Sequence, residues 1–156
     1  MDEIRDKRGL TYDIRSNFDS YRLRGAFEVS TFTRVDSTLG VMQAILEEIK
    51  RIRAERVSEK ELSETKSFYN GYYPLQFETP EQIATQILDV EFYDLGEDYI
   101  KNFRRNINAV TTDDILRVAQ KYLNPDDIKL VVVSKAEELK TGLELLGEVE
   151  DTSFLK

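Results

Sequence analysis

Arg5 and Tyr12 stand seven residues apart in IRDKRGLTY, on either side of Gly9. An arginine presents a planar fork of N–H donors and a tyrosine a phenolic hydroxyl. Brought together, the two could hold peptide carbonyls or a developing oxyanion, with no proton acceptor required from this chain. The local pattern permits this. Residues 4–8 read as the end of a charged helix, Gly9 suits the left-handed turn that glycine accommodates most easily, and Tyr12 opens a strand-like alternation. Arg5 then lies one turn back from the helix end, within reach of Tyr12. Read from the residues alone, a plainer alternative stands beside it: Arg5 as a solvated helix charge and Tyr12 as a half-buried strand residue, since both types are common.

Other chemistries fall away quickly. The chain has no His and no Cys, which removes the commonest general base and the usual zinc ligands together. A zinc site here would have to be all carboxylate, which is unusual, and no Ser-His-Asp or Cys-His arrangement can be built. Gly40, Gly71 and Gly96 are isolated, so no glycine-rich phosphate loop is present. The carboxylate pairs Glu47-Glu48, Asp113-Asp114, Asp126-Asp127 and Glu137-Glu138 fall on helix faces and helix starts, where they read as solvated charges or dipole partners. A net charge of −8 argues against nucleic acid as the main partner and is what a soluble acidic surface looks like. No apolar run is long enough to span a membrane. With zero Cys there is no disulfide framework from which to read the compartment.

The elements that must position the pair follow from periodicity. In 12–18, Tyr12, Ile14, Ser16 and Phe18 alternate with Asp13, Arg15 and Asn17, the pattern of a half-buried strand. A polar stretch leads through Asp19 and Ser20 to Gly25, and AFEVSTFT then places Phe27, Val29 and Thr31 on one face. The two strands read as an antiparallel hairpin. A helix follows with Val41, Met42, Ile45, Leu46, Ile49 and Ile52 inward and Asp36 or Ser37 as its cap. Ser58 and Glu61 form a capping box for a second helix, which carries Leu62, Thr65, Phe68, Tyr69 and Tyr72 toward Pro74. Thr79, Pro80 and Gln82 start a third, with Ile83, Ile87 and Val90 along its face and Leu95-Gly96 ending it. Residues 98–108 make a fourth, with Tyr99, Ile100, Phe103 and Ile107. Thr111 and Asp114 cap a fifth over 113–123, with Ile115, Val118, Ala119 and Tyr122 inward. IKLVVVS at 128–134 is a continuous apolar run, the kind expected of a strand buried on both faces. A helix-like tail, KAEELKTGLELLG, comes last.

The expected fold class is therefore α+β, an antiparallel or mixed β-sheet covered by helices in the order ββαααααβ. A doubly covered strand at 128–134 needs neighbours on both sides, and three strands make a small sheet for so many helices. The helix entering at Met1 has neither a cap nor an apolar approach, so the first residues read as the interior of something longer.

Four stretches carry a resemblance. IRDKRGLTYDIRSNF, GAFEVSTFTR, KSFYNGYYPLQFETPEQIATQI and VTTDDILRVAQKYLNPDDIKLVVVS occur in the order and at the spacing of the carboxyl-terminal part of an insulinase/pitrilysin-type zinc metallopeptidase domain. They are most similar to those of bacterial proteins related to mitochondrial processing peptidase. In that family two homologous α+β units, or two subunits, close around an unfolded peptide. One unit holds zinc in an inverted H-x-x-E-H motif; the other supplies an Arg and a Tyr seven residues apart. Arg5 and Tyr12 match that spacing, and Arg8 does not.

The resemblance implies a truncated, peptidase-like half unit over 1–149 with a tail at 150–156, lacking at least one sheet strand. It implies that Arg5 clamps a peptide carbonyl and that Tyr12 donates to the oxyanion. It implies no cofactor in this chain, zinc in a homologous partner domain or subunit, unfolded peptide as substrate, and no peptidase activity from the chain alone. A bacterial cytoplasm or periplasm would be the setting. Exposed sheet edges would favour self-association, such as a homodimer. The alternative from the same family is a non-catalytic scaffold or assembly subunit.

Overall fold

A computed structural model of the chain describes residue 11 and residues 13–152. The described residues form two compact units: one runs up to Arg51 and resumes at Asn124, and the other is Ile52–Leu123.

The first unit is built on a hairpin of β1 (Asp13–Ser20) and β2 (Gly25–Phe32), paired antiparallel with Ile14 opposite Thr31, Ser16 opposite Val29 and Phe18 opposite Phe27. This register keeps the apolar alternation on one face. The rings of Phe18 and Phe27 meet there at 4.7 Å. A Cβ on Gly25 would lie 2.3 Å from the backbone carbonyl oxygen of Asp19, so the chain leaves the loop where only glycine fits. The turn itself closes with Tyr21 N–H donating to Arg24 O at 3.1 Å. α1 (Thr38–Ala54) lies on the hairpin's apolar face: Ile14 and Ala44 form a buried cluster, with Val29 and Ile45 packed against it. Val41, Met42 and Ile49 are also buried, and full burial of a side chain such as Val41 contributes about 1.5–2 kcal/mol. The expected cap at Asp36 or Ser37 is replaced by a 3₁₀ turn over Val35–Ser37. The Asp36 carboxylate is already engaged by Ser37 Oγ at 2.9 Å and Arg34 Nε at 3.2 Å, which holds its pKa below the usual range. α6 (Ala136–Leu143) adds buried Leu139 and sets Gly142 against the Leu39 side chain of α1.

The second unit holds α2 (Glu59–Tyr72), α3 (Pro80–Phe92), α4 (Tyr99–Ala109) and α5 (Thr112–Tyr122). Three of these begin with the capping boxes that the sequence announces: Ser58 with Glu61, Thr79 with Gln82, and Thr111 with Asp114. α2 and α4 are tied by polar contacts, Lys66 Nζ to Asn108 O at 2.9 Å and Asn70 Nδ2 to Asn108 Oδ1 at 2.7 Å. After α2 a 3₁₀ turn, Tyr73–Phe77, stacks the Tyr73 ring on Phe103 at 3.7 Å and 10°. α3 ends through Asp94 and Gly96, both at positive φ (54° and 85°). Arg53, near the end of α1, caps α5 from outside by donating to Gln120 O at 3.0 Å and to Leu123 O, while Gln120 Nε2 returns a bond to Arg53 O at 3.0 Å.

The α+β class is borne out, with a two-stranded antiparallel sheet and helices. Two expectations are corrected. Residues 128–134 form no strand, and Val131 and Val133 are 87% and 95% exposed rather than buried on both faces. A strand exists only as a member of a ladder, and among the described residues nothing pairs with this segment. The apolar side of α3 also faces outward. Ile83 and Ile87 are exposed, and the half-buried positions are Gln82, Gln86, Asp89, Val90 and Tyr93.

Candidate functional site

Arg5, Gly9 and Tyr12 lie outside the described residues, and so do the helix end and the turn expected between them. The described structure begins at their border, with Thr11. This residue is buried, and its hydroxyl sits among three oxygens: Thr31 Oγ1 at 2.8 Å, Phe32 O at 2.7 Å and Asp13 O at 3.0 Å. Thr31 Oγ1 in turn donates to Asp13 O at 2.7 Å. A chain from Thr11 to Thr31 to Asp13 uses each hydroxyl proton once; Phe32 O and Asp13 O are the alternative acceptors for Thr11. A buried hydroxyl with partners of this kind typically contributes about 1 kcal/mol. The consequence is local. Thr11 and Asp13 are fixed to the far end of β2, and β1 starts from an anchored point. Sequence reading passed over Thr11, because its partner Thr31 is twenty residues away and only the hairpin register brings the two together.

Members of three of the four carboxylate pairs serve as cap or ion-pair partners. Glu48 meets Arg51 at 2.9 Å, Asp113 meets Arg56 at 2.5 Å, and Glu138 meets Lys135 at 3.1 Å. Asp114 accepts from the Thr111 hydroxyl at 2.7 Å and from Arg117 at 3.0 Å, and these bonds hold its pKa down to about 2. Such pairs at the surface contribute little each. Among the described residues no group of three or more His, Cys, Asp or Glu is placed to hold a metal ion. No helix among them is long and apolar enough to cross a membrane. One titratable group in the second unit is displaced upward: burial, reinforced by Tyr99, raises the pKa of the Tyr73 phenol, whose hydroxyl has no hydrogen-bond partner among the described residues.

The second unit also carries an aromatic surface. Phe68 and Tyr72, one turn apart on α2, stack at 5.6 Å with planes 7° apart, and Tyr69 meets Phe68 edge-on at 5.5 Å. All three are exposed. On α3 Leu88 and Phe92 are exposed as well, on the opposite side from Ile83 and Ile87. The sequence pattern had placed Phe68, Tyr69 and Tyr72 along a packed helix face.

Residues 1–69, which include both Arg5 and Tyr12, match a family described as the peptidase M16 inactive domain. The crystal structure of a peptidase M16 inactive domain from Pseudomonas fluorescens is similar over 81% of this chain, at 28% sequence identity and a TM-score of 0.73. The chain spans 30% of the length of that relative's chain. Among curated proteins nothing matches. The family match over residues 1–69 and the similar fold over most of the chain bear out the expected resemblance to the carboxyl-terminal domain of an M16-family peptidase.

Proposed function

We propose that the chain is the substrate-binding, carboxyl-terminal portion of a two-part zinc metalloendopeptidase that cleaves unfolded peptides. The observation that carries this reading is the family match over residues 1–69, because that stretch contains the Arg5–Tyr12 spacing and the hairpin that follows it. In the assembled enzyme the Arg5 guanidinium would clamp and orient a peptide carbonyl, and the Tyr12 hydroxyl would donate to the oxyanion that develops on the scissile carbonyl. Thr11 supports the pair indirectly, by fixing the backbone at the start of β1 to the end of β2. With no His and no Cys, the chain does not offer the family's zinc ligands. Zinc would be held by a homologous domain or subunit, and residues 1–149 would act beside it as one part of a peptidase-like domain, with 150–156 as a tail. The exposed aromatic surface of Phe68, Tyr69 and Tyr72 would help enclose an extended polypeptide.

The test is an unfolded-peptide cleavage assay on the full parent assembly, or on this chain combined with its zinc-bearing partner. Arg5→Ala and Tyr12→Phe should each lower kcat/KM by more than about tenfold while the zinc content of the assembly stays unchanged. Retention of kcat/KM within about threefold in both variants would show that the pair has no such role. It would leave the scaffold subunit as the better account.

A further inference from the structure

One hydroxyl on β2 is bonded to both sequence neighbours of Tyr12. Thr31 Oγ1 lies 2.8 Å from the Thr11 hydroxyl and donates to Asp13 O at 2.7 Å. Thr11 Oγ1 is itself 3.0 Å from Asp13 O, so the two ends of the span 11–13 are held together as well as to Thr31. Phe32 O, 2.7 Å from Thr11 Oγ1, adds a second tie to the end of β2. The described ladder begins at the Asp13–Phe32 pair, and these side-chain bonds carry the fastening beyond it to Thr11, which is buried. The fastening point is firmly seated. Thr31 stands opposite Ile14 in the ladder, and Ile14 is buried against Ala44 of α1 with Val29 packed beside them. Tyr12 is the one residue of the span that lies outside the described ones.

A donor to a developing oxyanion works only if it is already in place when the charge appears, and a misplacement of about 1 Å can cost on the order of 100-fold in rate. A residue whose neighbours on both sides are tied to one packed strand has little backbone freedom left to lose in the transition state. We propose that Thr31 is a positioning residue for the reaction: its hydroxyl, through Thr11 and Asp13, holds the backbone that carries Tyr12. The inference rests on the peptidase reading and deepens it, since it extends the site from Arg5 and Tyr12 to a residue on β2, twenty positions beyond Thr11. A hydroxyl that merely closed the end of the hairpin would act on stability and leave the chemical step untouched. The two roles separate by experiment. Valine at this position keeps the branched shape and the strand preference of threonine and removes only the hydroxyl. Thr11 then still reaches Phe32 O, so the hairpin keeps one of its two ties while Asp13 O loses the donor from β2.

The experiment is a mutant cycle in the full parent assembly, with fluorescein-labelled casein as the unfolded substrate. Circular dichroism and zinc content confirm that each variant is folded and loaded. Thr31→Val should lower the apparent kcat by about tenfold and leave KM within about twofold, because the oxyanion exists only in the transition state. Thr31→Ser, which keeps the hydroxyl, should stay within about threefold of wild type. In a Tyr12→Phe background the hydroxyl to be positioned is gone, so Thr31→Val should cost less than about twofold there. A Thr31→Val assembly with unchanged kcat overturns the inference. So does a Thr31→Ser assembly as impaired as Thr31→Val, and so does a tenfold loss that persists in the Tyr12→Phe background, which would make Thr31 a structural residue only. The underlying reading fails in a different way: Tyr12→Phe alone would then leave kcat/KM unchanged, and the positioning role would fall with it.

Discussion

Gly142 is where α6 meets α1, and replacing it sets two opposing effects against each other. A Cβ built there would lie 2.2 Å from Leu39 Cδ1 and 3.3 Å from both Cδ2 and Cγ. Exchanging glycine for alanine inside a helix is worth up to about 1 kcal/mol, and near the last turn about half of that. Against this, an extra methyl in an occupied space costs about 1–3 kcal/mol. The obstacle is the tip of a half-buried leucine, which can rotate but only partly, so the overlap should prevail. Gly142→Ala is expected to destabilise the chain by about 1–2 kcal/mol. Leu39→Ala will cost stability of its own by leaving a void, but it removes the obstacle. In that background Gly142→Ala should change sign and stabilise by about 0.5 kcal/mol. The double-mutant cycle then yields a coupling of roughly 1.5–2.5 kcal/mol, measured by urea unfolding followed by circular dichroism. If Gly142→Ala has the same effect in both backgrounds to within about 0.5 kcal/mol, the contact between α6 and α1 has been misjudged and the reasoning fails.

Two further outcomes are expected. Arg53→Ala removes the donors that satisfy Gln120 O and Leu123 O at the end of α5, and should lower stability by about 1–3 kcal/mol, with Arg53→Lys recovering only part because an ammonium lacks the fork; thermal unfolding of the three proteins measures this. The Asp114 carboxyl has its folded pKa depressed to about 2, well below the usual carboxylate range, chiefly by the Thr111 hydroxyl and then by Arg117. Its contribution is therefore complete above the unfolded value and is lost as the pH falls through about 2, so acid titration of the urea midpoint should fall more steeply in wild type than in Asp114→Asn between about pH 4 and pH 2.

What the sequence disclosed and what it withheld divide along one physical line. The boxes at Ser58, Thr79 and Thr111 are complete within four residues, so their helices could be placed from the sequence and were found where expected. The hairpin was equally legible, because alternation over β1 and β2 needs only the two strands themselves. The misplaced features depend on distant partners. Asp36 looked like a cap, and the competing hydrogen bonds from Arg34 and Ser37 removed it from that role. Arg53 gave no sign of its contact with α5, since Gln120 and Leu123 approach it only after folding. Thr11 was overlooked for the same reason. The Arg5–Tyr12 spacing stands as an expectation from the sequence, since both residues lie outside the described ones.

The two departures from the expected packing have a common cause, and it bears on which reading of the chain is right. IKLVVV is apolar on both alternations, the composition of a strand covered on both faces. α3 is apolar on two sides, with Ile83 and Ile87 on one and Leu88 and Phe92 on the other, the pattern of a helix enclosed between layers. A free-standing domain would turn these residues inward and leave Gln82, Gln86 and Asp89 in water. The described residues do the reverse on α3 and leave the valines of 128–133 bare. Apolar side chains exposed at roughly 25 cal/mol per Å² are worth keeping only where something else buries them. The two-part assembly proposed above would give both surfaces such a role.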